Sequence, residues 1–246
     1  GTAVGFQALD ANTTGVGNSA FGFDALGANT SGTNNHAFGN YALLNNTTGD
    51  GNVAMGISSL KSNTTGEFNI SIGGQSLEDN NGSFNVSVGT AALQKNTSGN
   101  HGIGIGHFAL SKNTTGSSNI AIGGHALENN TNVGNQLAIG YEALKSNTTG
   151  FGNHAIGYQA LKSNVGGKYN LAVGVFSLIA NTTGEYNASF GTEASGSNTT
   201  GVKNTAIGHY ALRLNSTGNE NTAVGYRASA FHKGTKNTAV GFESLS

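Results

Sequence analysis

Residues 204–218 read NTAIGHYALRLNSTG, and the fold is decided by how this stretch is read. It holds an apolar alternation closed by Gly208, a small residue and a leucine at Ala211 and Leu212, and a polar turn that starts at Asn215. Outward from it, in both directions, the chain repeats the same phrase. The closing glycine recurs at Gly5, Gly22, Gly39, Gly56, Gly73, Gly89, Gly106, Gly123, Gly140, Gly157, Gly174, Gly191, Gly208, Gly225 and Gly241, and of the fourteen spacings twelve are 17 residues and two are 16. A period this short and regular means a solenoid, whose repeats bury surface only by stacking on one another.

The residue before each closing glycine is apolar in every copy, from Val4 and Phe21 through Ile122, Ile139, Ile156 and Ile207 to Val240. Two before it stands Ala, Ser or Gly without exception. This period-2 pattern predicts a strand of three to four residues with one face restricted in size. The larger Val/Ile/Phe column is expected to be covered by the chain's own coil. The small column is expected to lie close to another backbone, so that Ala138→Leu should disturb assembly more than Glu142→Leu. Three residues after the glycine comes Ala or Ser, followed by Leu in thirteen copies, Ser195 and Ser229 being the exceptions. Leu127, Leu144 and Leu161 are thus expected to stack as a second apolar column.

Position seven after the glycine is Asn in thirteen of the fourteen copies that reach it, including Asn147 and Asn181, and Thr-Thr-Gly or Thr-Ser-Gly usually follows. An Asn that bonds nearby backbone and a Gly that accepts positive φ predict the turn to the next rung. A second Asn column stands four before the glycine in twelve copies, with Gly1, Gly102 and Gln136 in its place elsewhere. Equivalent stacked asparagines can bond between rungs. Both shortened spacings fall in turns, so the strand columns are expected to keep register through them. The ALxxN segments are too short and too framed by glycine for more than one helical turn.

Forty glycines without proline or a Gly-X-Y triplet exclude collagen. Eleven basic against 12 acidic residues, a net charge of -1, leave no electrostatic means of capturing nucleic acid or an anionic membrane. Without cysteine there is neither a disulfide nor a thiolate metal site. No apolar run is long enough to span a bilayer. The unbroken period makes residues 1–246 one repeat domain of 17-residue units. Both ends fall in mid-repeat, and the chain is expected to be a fragment of a longer fibrous protein.

Chemistry-bearing residues form no constellation. Asp24, Glu142, Glu193 and Glu243 share a slot two after the glycine, but other copies put Gln7, His125 or Arg227 there. A glycosidase needs two carboxylates at one cleft, and nothing here selects a pair, so solvated decoration is the plainer reading. The seven histidines are scattered and lack metal-ligand spacing. We therefore expect no catalytic residue, no cofactor and no metal. Aromatics gather one or two residues after the glycine, among them Tyr41, Phe108, Tyr141, Tyr158, Tyr210 and Tyr226. Rings on a polar rod can face a sugar or a protein partner, and the bland alternative is that they cover backbone or pack between subunits. Thr-Thr turns at regular intervals suggest an ice-binding face, but adjacent residues cannot both point to one flat strand surface.

The NTAIG strand phrase and its variants NTAVG, NLAVG and NSAFG resemble the head repeats of YadA-like trimeric autotransporter adhesins and related phage tail-fibre segments, although the repeat here is longer. The Ala-Ile-Gly core is literal at Ala121-Ile122-Gly123, Ala138-Ile139-Gly140, Ala155-Ile156-Gly157 and Ala206-Ile207-Gly208. The resemblance implies a left-handed parallel β-roll, a homotrimer, and an extracellular rod on a cell or virion surface. Three chains around one axis would also cover both faces of each strand, a monomeric or dimeric solenoid being the alternative. The expectation is an all-β parallel solenoid of about fifteen short rungs. It acts as an adhesin head or tail-fibre shaft toward a host-surface protein or glycan, with no nucleic acid partner and no membrane contact in this segment. The alternatives are an ice-binding solenoid and a polysaccharide-binding or depolymerising spike.

Overall fold

The computed structural model describes residues 1–245. Its contacts divide the chain into two compact units, Gly1–Asn119 and Ile120–Ser246. The first carries β1 (Thr2–Val4), β2 (Ser19–Phe21), β3 (His36–Phe38), β4 (Val53–Met55), β5 (Ile70–Ile72), β6 (Val86–Val88) and β7 (Ile103–Ile105). The second carries β8 (Ile120–Ile122), β9 (Leu137–Ile139), β10 (His154–Ile156), β11 (Leu171–Val173), β12 (Ala188–Phe190), β13 (Thr205–Ile207), β14 (Thr222–Val224) and β15 (Thr238–Val240). Each strand occupies one rung of the same number. Among the described residues there is no helix.

Within each unit every strand pairs in parallel with the next in sequence, one repeat away, so each unit is a parallel β-solenoid. Ile139 is the register partner of both Ile122 and Ile156. The two 16-residue spacings leave this register intact, with Ile70 opposite Val86 and Thr222 opposite Thr238. A residue lost from a turn is absorbed in the turn, because slipping a strand by one would exchange its inner and outer faces.

Those faces are the reverse of what side-chain size suggests. The small column is the inside of the coil: Ala121, Ala138, Ala155 and Ala206 are 0% exposed. The Val/Ile/Phe column points outward, with Ile122 and Ile156 each 37% exposed and Ile207 43%. The expectation that the coil covers its large column is therefore corrected, and Ala138→Leu would burst the coil rather than disturb an interface. A 17-residue coil encloses little space, and alanine from the strand with leucine from the corner fills it. Leu127, Leu144 and Leu161 are fully buried there, each worth roughly 1.5–3 kcal/mol.

The corner after each glycine is built from left-handed residues that are not glycine. The residues two and four beyond it have φ near +50° in every rung, as in Glu142 (55°) and Leu144 (52°). Such a conformation costs an L-residue roughly 1–2 kcal/mol. The return is that amides turn toward both neighbouring rungs: Glu142 N donates to Gly124 O at 2.9 Å and Leu144 N to Ala160 O at 3.0 Å. The closing glycine is needed for proximity as well as φ. At Gly56 (φ 135°) an added Cβ would lie 2.6 Å from the carbonyl oxygen of Gly73.

Candidate functional site

Polar side chains are first of all structural. In the turn column Asn164 Nδ2 donates to Asn147 Oδ1 at 2.9 Å and to Gly167 O at 3.0 Å, and Asn181 Nδ2 donates to Asn164 Oδ1 at 2.8 Å. In the strand column Asn170 N donates to Asn153 Oδ1 at 3.0 Å, and Asn170 Nδ2 reaches Gly184 O at 2.8 Å. Gln136 takes an asparagine's place in two of its bonds, accepting from Asn153 N at 3.2 Å and donating to Gly150 O at 3.1 Å. Both ladders are buried. The turn glycine between them is not left-handed, which corrects the positive-φ reading. A Cβ at Gly49 would run into the carbonyl oxygen of Gly66 on the next rung and stand 2.6 Å from Asn46 Oδ1, so crowding by the neighbouring backbone and the ladder together requires glycine there.

The first threonine of the turn belongs to the same frame, since Thr47 Oγ1 donates to Thr64 O and Thr182 Oγ1 to Thr199 O, each at 3.0 Å. The second, as at Thr48 and Thr183, is exposed, and the first is half-buried at Thr47 and Thr182 but exposed at Thr13 and Thr97.

Aromatic rings pack mainly on one another. Tyr141 stacks on Tyr158 with centroids 5.6 Å apart, and Phe23 meets the edge of Tyr41. Tyr226 lies between His209 and Phe242, both stacked on it, and Phe108 contacts His107 at 4.1 Å. Cations cover further rings: Arg213 stands 4.7 Å over Tyr210 and Lys61 5.8 Å over Tyr41. In these ladders the faces a sugar would need are taken by neighbours, and edges point to solvent. A second set of rings was missed in the sequence. Phe68, Phe84 and His101 stack five residues before the closing glycine, as do Tyr169 and Tyr186. Counting aromatics slot by slot would have found it.

Glu142 departs from the decoration reading. Its carboxylate is nearly buried and receives Lys145 Nζ at 2.8 Å, Lys162 Nζ at 2.7 Å and Gln159 Nε2 at 2.8 Å. Hydrogen bonds from Lys145 and then Lys162 hold its pKa down to about 2 against the opposing effect of burial. Lys145 is raised in turn, chiefly by its bond to Glu142. With both charges satisfied, this is a clamp between rungs.

Two surfaces remain available. One is the outward strand face. In the first unit β4 to β7 present Val53 and Met55, Ile70 and Ile72, Val86 and Val88, Ile103 and Ile105 as paired columns; in the second, β8 and β9 continue the type with Ile120, Ile122, Leu137 and Ile139. The other is a cavity of about 330 Å³ at the corner of rungs 11 to 13, lined by Phe176, Ile179, Glu193, Gly196, Arg213 and Leu214 among others. Among the described residues no cluster of His, Asp and Glu is placed to hold a metal ion, and no helix is long and apolar enough to cross a membrane. No protein-family model matches the chain, and no curated protein or solved structure matches it.

Proposed function

We propose that this chain is a segment of an extracellular structural and adhesive rod, without catalytic activity, whose subunits associate through their outward strand faces as a homotrimer. The observation that carries this reading is the apolar residue before every closing glycine, exposed or half-exposed in each unit although the coil does not use it. Exposed apolar patches of this continuity mark interaction surfaces. Another copy of the chain is the partner best matched to the stripe of each unit, because it presents apolar side chains at the same rung pitch. Three such faces around an axis leave none uncovered. The fold suits attachment, since a stack of hydrogen-bonded rungs projects whatever its corners carry.

The test is the solution mass of the purified chain by light scattering. Three times the chain mass is expected for the native protein. The double substitution Ile139→Lys and Ile156→Lys should give single chains with an unchanged β-sheet circular dichroism spectrum, because both side chains lie outside the coil. A native protein that runs as a monomer would overturn the assembly.

A further inference from the structure

We infer that the corner cavity of rung 12 is a binding site for one neutral sugar residue. The inference rests on the adhesive part of the reading above and supplies its ligand class. The cavity exists because rung 12 breaks the repeat at the corner. Gly196 occupies a slot that holds Leu44, Lys145, Lys162, Ile179 and Arg213 in other rungs and glycine elsewhere only at Gly27. Ser195 replaces the stacking leucine as Ser229 does in rung 14, and only rung 12 combines the two changes. The rung leaves polar groups unsatisfied: Ser189 Oγ and Ser195 Oγ are buried without a hydrogen-bond partner, as is Ser229 Oγ in the matching slot of rung 14. A site that breaks several local rules at once is where a requirement other than folding is expected.

The lining has the two halves that a sugar ring needs. Phe176, Ile179 and Leu214 offer an apolar surface for C–H groups. Phe176 meets Tyr158 edge-to-face at 83°, so it stands outside the face-to-face ladder formed by Tyr141 and Tyr158. Glu193 and Arg213 supply acceptors and donors. They are bound to each other through Arg213 Nε and Glu193 Oε2 at 2.7 Å, which leaves the second carboxylate oxygen and the outer guanidinium nitrogens for a ligand. An ion-paired site is neutral as a whole and favours neither an anion nor a cation. A neutral polyol with one apolar face suits it. At about 330 Å³ the volume lies at the lower end of small-molecule sites, the size for a single ring.

The test is amide NMR of the isotopically labelled full chain, titrated with methyl β-glucoside, methyl β-galactoside and N-acetylglucosamine. At least one should shift the amides of Gly196, Ser197 and Leu214 with a dissociation constant on the order of millimolar, as expected for a lone sugar ring. Gly196→Leu fills the cavity with a residue that Leu44 already shows in this slot. It should weaken binding at least about tenfold and leave the other amides in place. Should that variant not fold, Glu193→Gln, which keeps the shape and removes the charge, is expected to weaken binding several-fold. The inference is overturned if none of the sugars moves these amides at about 50 mM, a concentration well above the expected constant. It is also overturned if the cavity-filling variant binds as the native chain does, or if N-acetyl-leucinamide moves the amides and the sugars do not. Light scattering separates this result from the assembly: sugar binding by a monomer sinks the trimer alone, and a trimer indifferent to sugars sinks the site alone.

Discussion

Rungs 9 and 12 of the second unit present strands of the same length and register and different corners. In rung 9 Leu144 fills the coil, Lys145 and Glu142 clamp its edge, and Asn147 joins the turn ladder. In rung 12 the matching corner positions hold Ser195 and Gly196 beside Glu193. Yet β12 keeps full register with β11 and β13, and Asn198 still donates to Asn181 Oδ1 at 2.8 Å and to Gly201 O at 3.2 Å, although its own buried Oδ1 receives no bond from the next rung. Register therefore lives in the strand and the asparagine columns, while the leucine corner adds stability and can be given up locally.

The strongest way to break this comparison is to remove one ladder asparagine and one corner leucine separately. Asn164→Ala orphans the buried Asn147 Oδ1 and takes one of two bonds from Gly167 O, which keeps Asn153 Nδ2, and from Asn181 Nδ2, which keeps Gly184 O, so the loss should be about 2–4 kcal/mol. Leu144→Ala should cost about 3 kcal/mol from transfer and cavity. Urea denaturation of the two variants gives the order. A loss at the asparagine below about 1 kcal/mol would show that the ladder does not hold the frame together.

The reverse change is smaller and of opposite sign. Ser195 shares the left-handed backbone of the column, with φ 50° as at Leu178 and Leu212, so Ser195→Leu meets no new strain. It removes a hydroxyl that has no partner and restores the leucine stack. A gain of about 1–2 kcal/mol in thermal or urea unfolding is expected. A loss would mean that the neighbours have closed over the serine.

Much of this frame was legible as columns, because a stack turns every tolerated position into a vertical row. The strand bounds, the asparagine ladders and the register through the short turns follow from that. Which strand face is inside did not follow: alternation separates two faces without orienting them, and the larger Ile139 looks more like core than Ala138. The coil's narrow interior decides, and it exists only once the turns close it. The left-handed corner was hidden for a related reason. Leucine is a poor choice for positive φ in isolation, and only the hydrogen bonds to adjacent rungs make it acceptable at Leu144 or Leu161. The cavity of rung 12 was hardest to read, since Gly196 is one glycine among forty.

Acid should strip the rung 9 clamp selectively. The folded pKa of Glu142 is about 2, lowered from 4.5, so its contribution is fully present above about pH 4.5 and is lost as pH falls toward 2. Lys145 is shifted upward, so its share persists at lower pH and is lost as pH rises beyond its ordinary value of 10.5. The melting temperature should be level across neutral pH and fall between pH 4.5 and 2, less steeply in Glu142→Gln. Parallel acid profiles for native protein and variant would remove Glu142 from the account.

The smallest effect lies inside the coil and compares rungs 5 and 6 with rung 12 once more. Wherever the small residue three after the closing glycine is serine and a further rung follows, at Ser59, Ser76 and Ser177, the inner strand residue of the next rung is serine too, at Ser71, Ser87 and Ser189. The first two pairs join through their hydroxyls at 2.7 Å, and Ser71 and Ser87 pass the bond on to the carbonyls of Ser76 and Ala92. In the third, Ser177 Oγ reaches only the backbone oxygen of Ser189, at 3.2 Å. Removing one buried partner strands the other, while removing both restores the alanine pair that neighbouring rungs use. Ser87→Ala alone should thus cost about 1–2 kcal/mol, and Ser76→Ala with Ser87→Ala together close to nothing, a coupling of at least about 1–2 kcal/mol. The same cycle at Ser177 and Ser189 should show less coupling, since no hydroxyl pair joins them. Simple additivity at Ser76 and Ser87 would mean that the matched serines do not act as a unit. Equal coupling in both places would mean that rung 12 is no looser inside than its neighbours, and that only its outer corner differs.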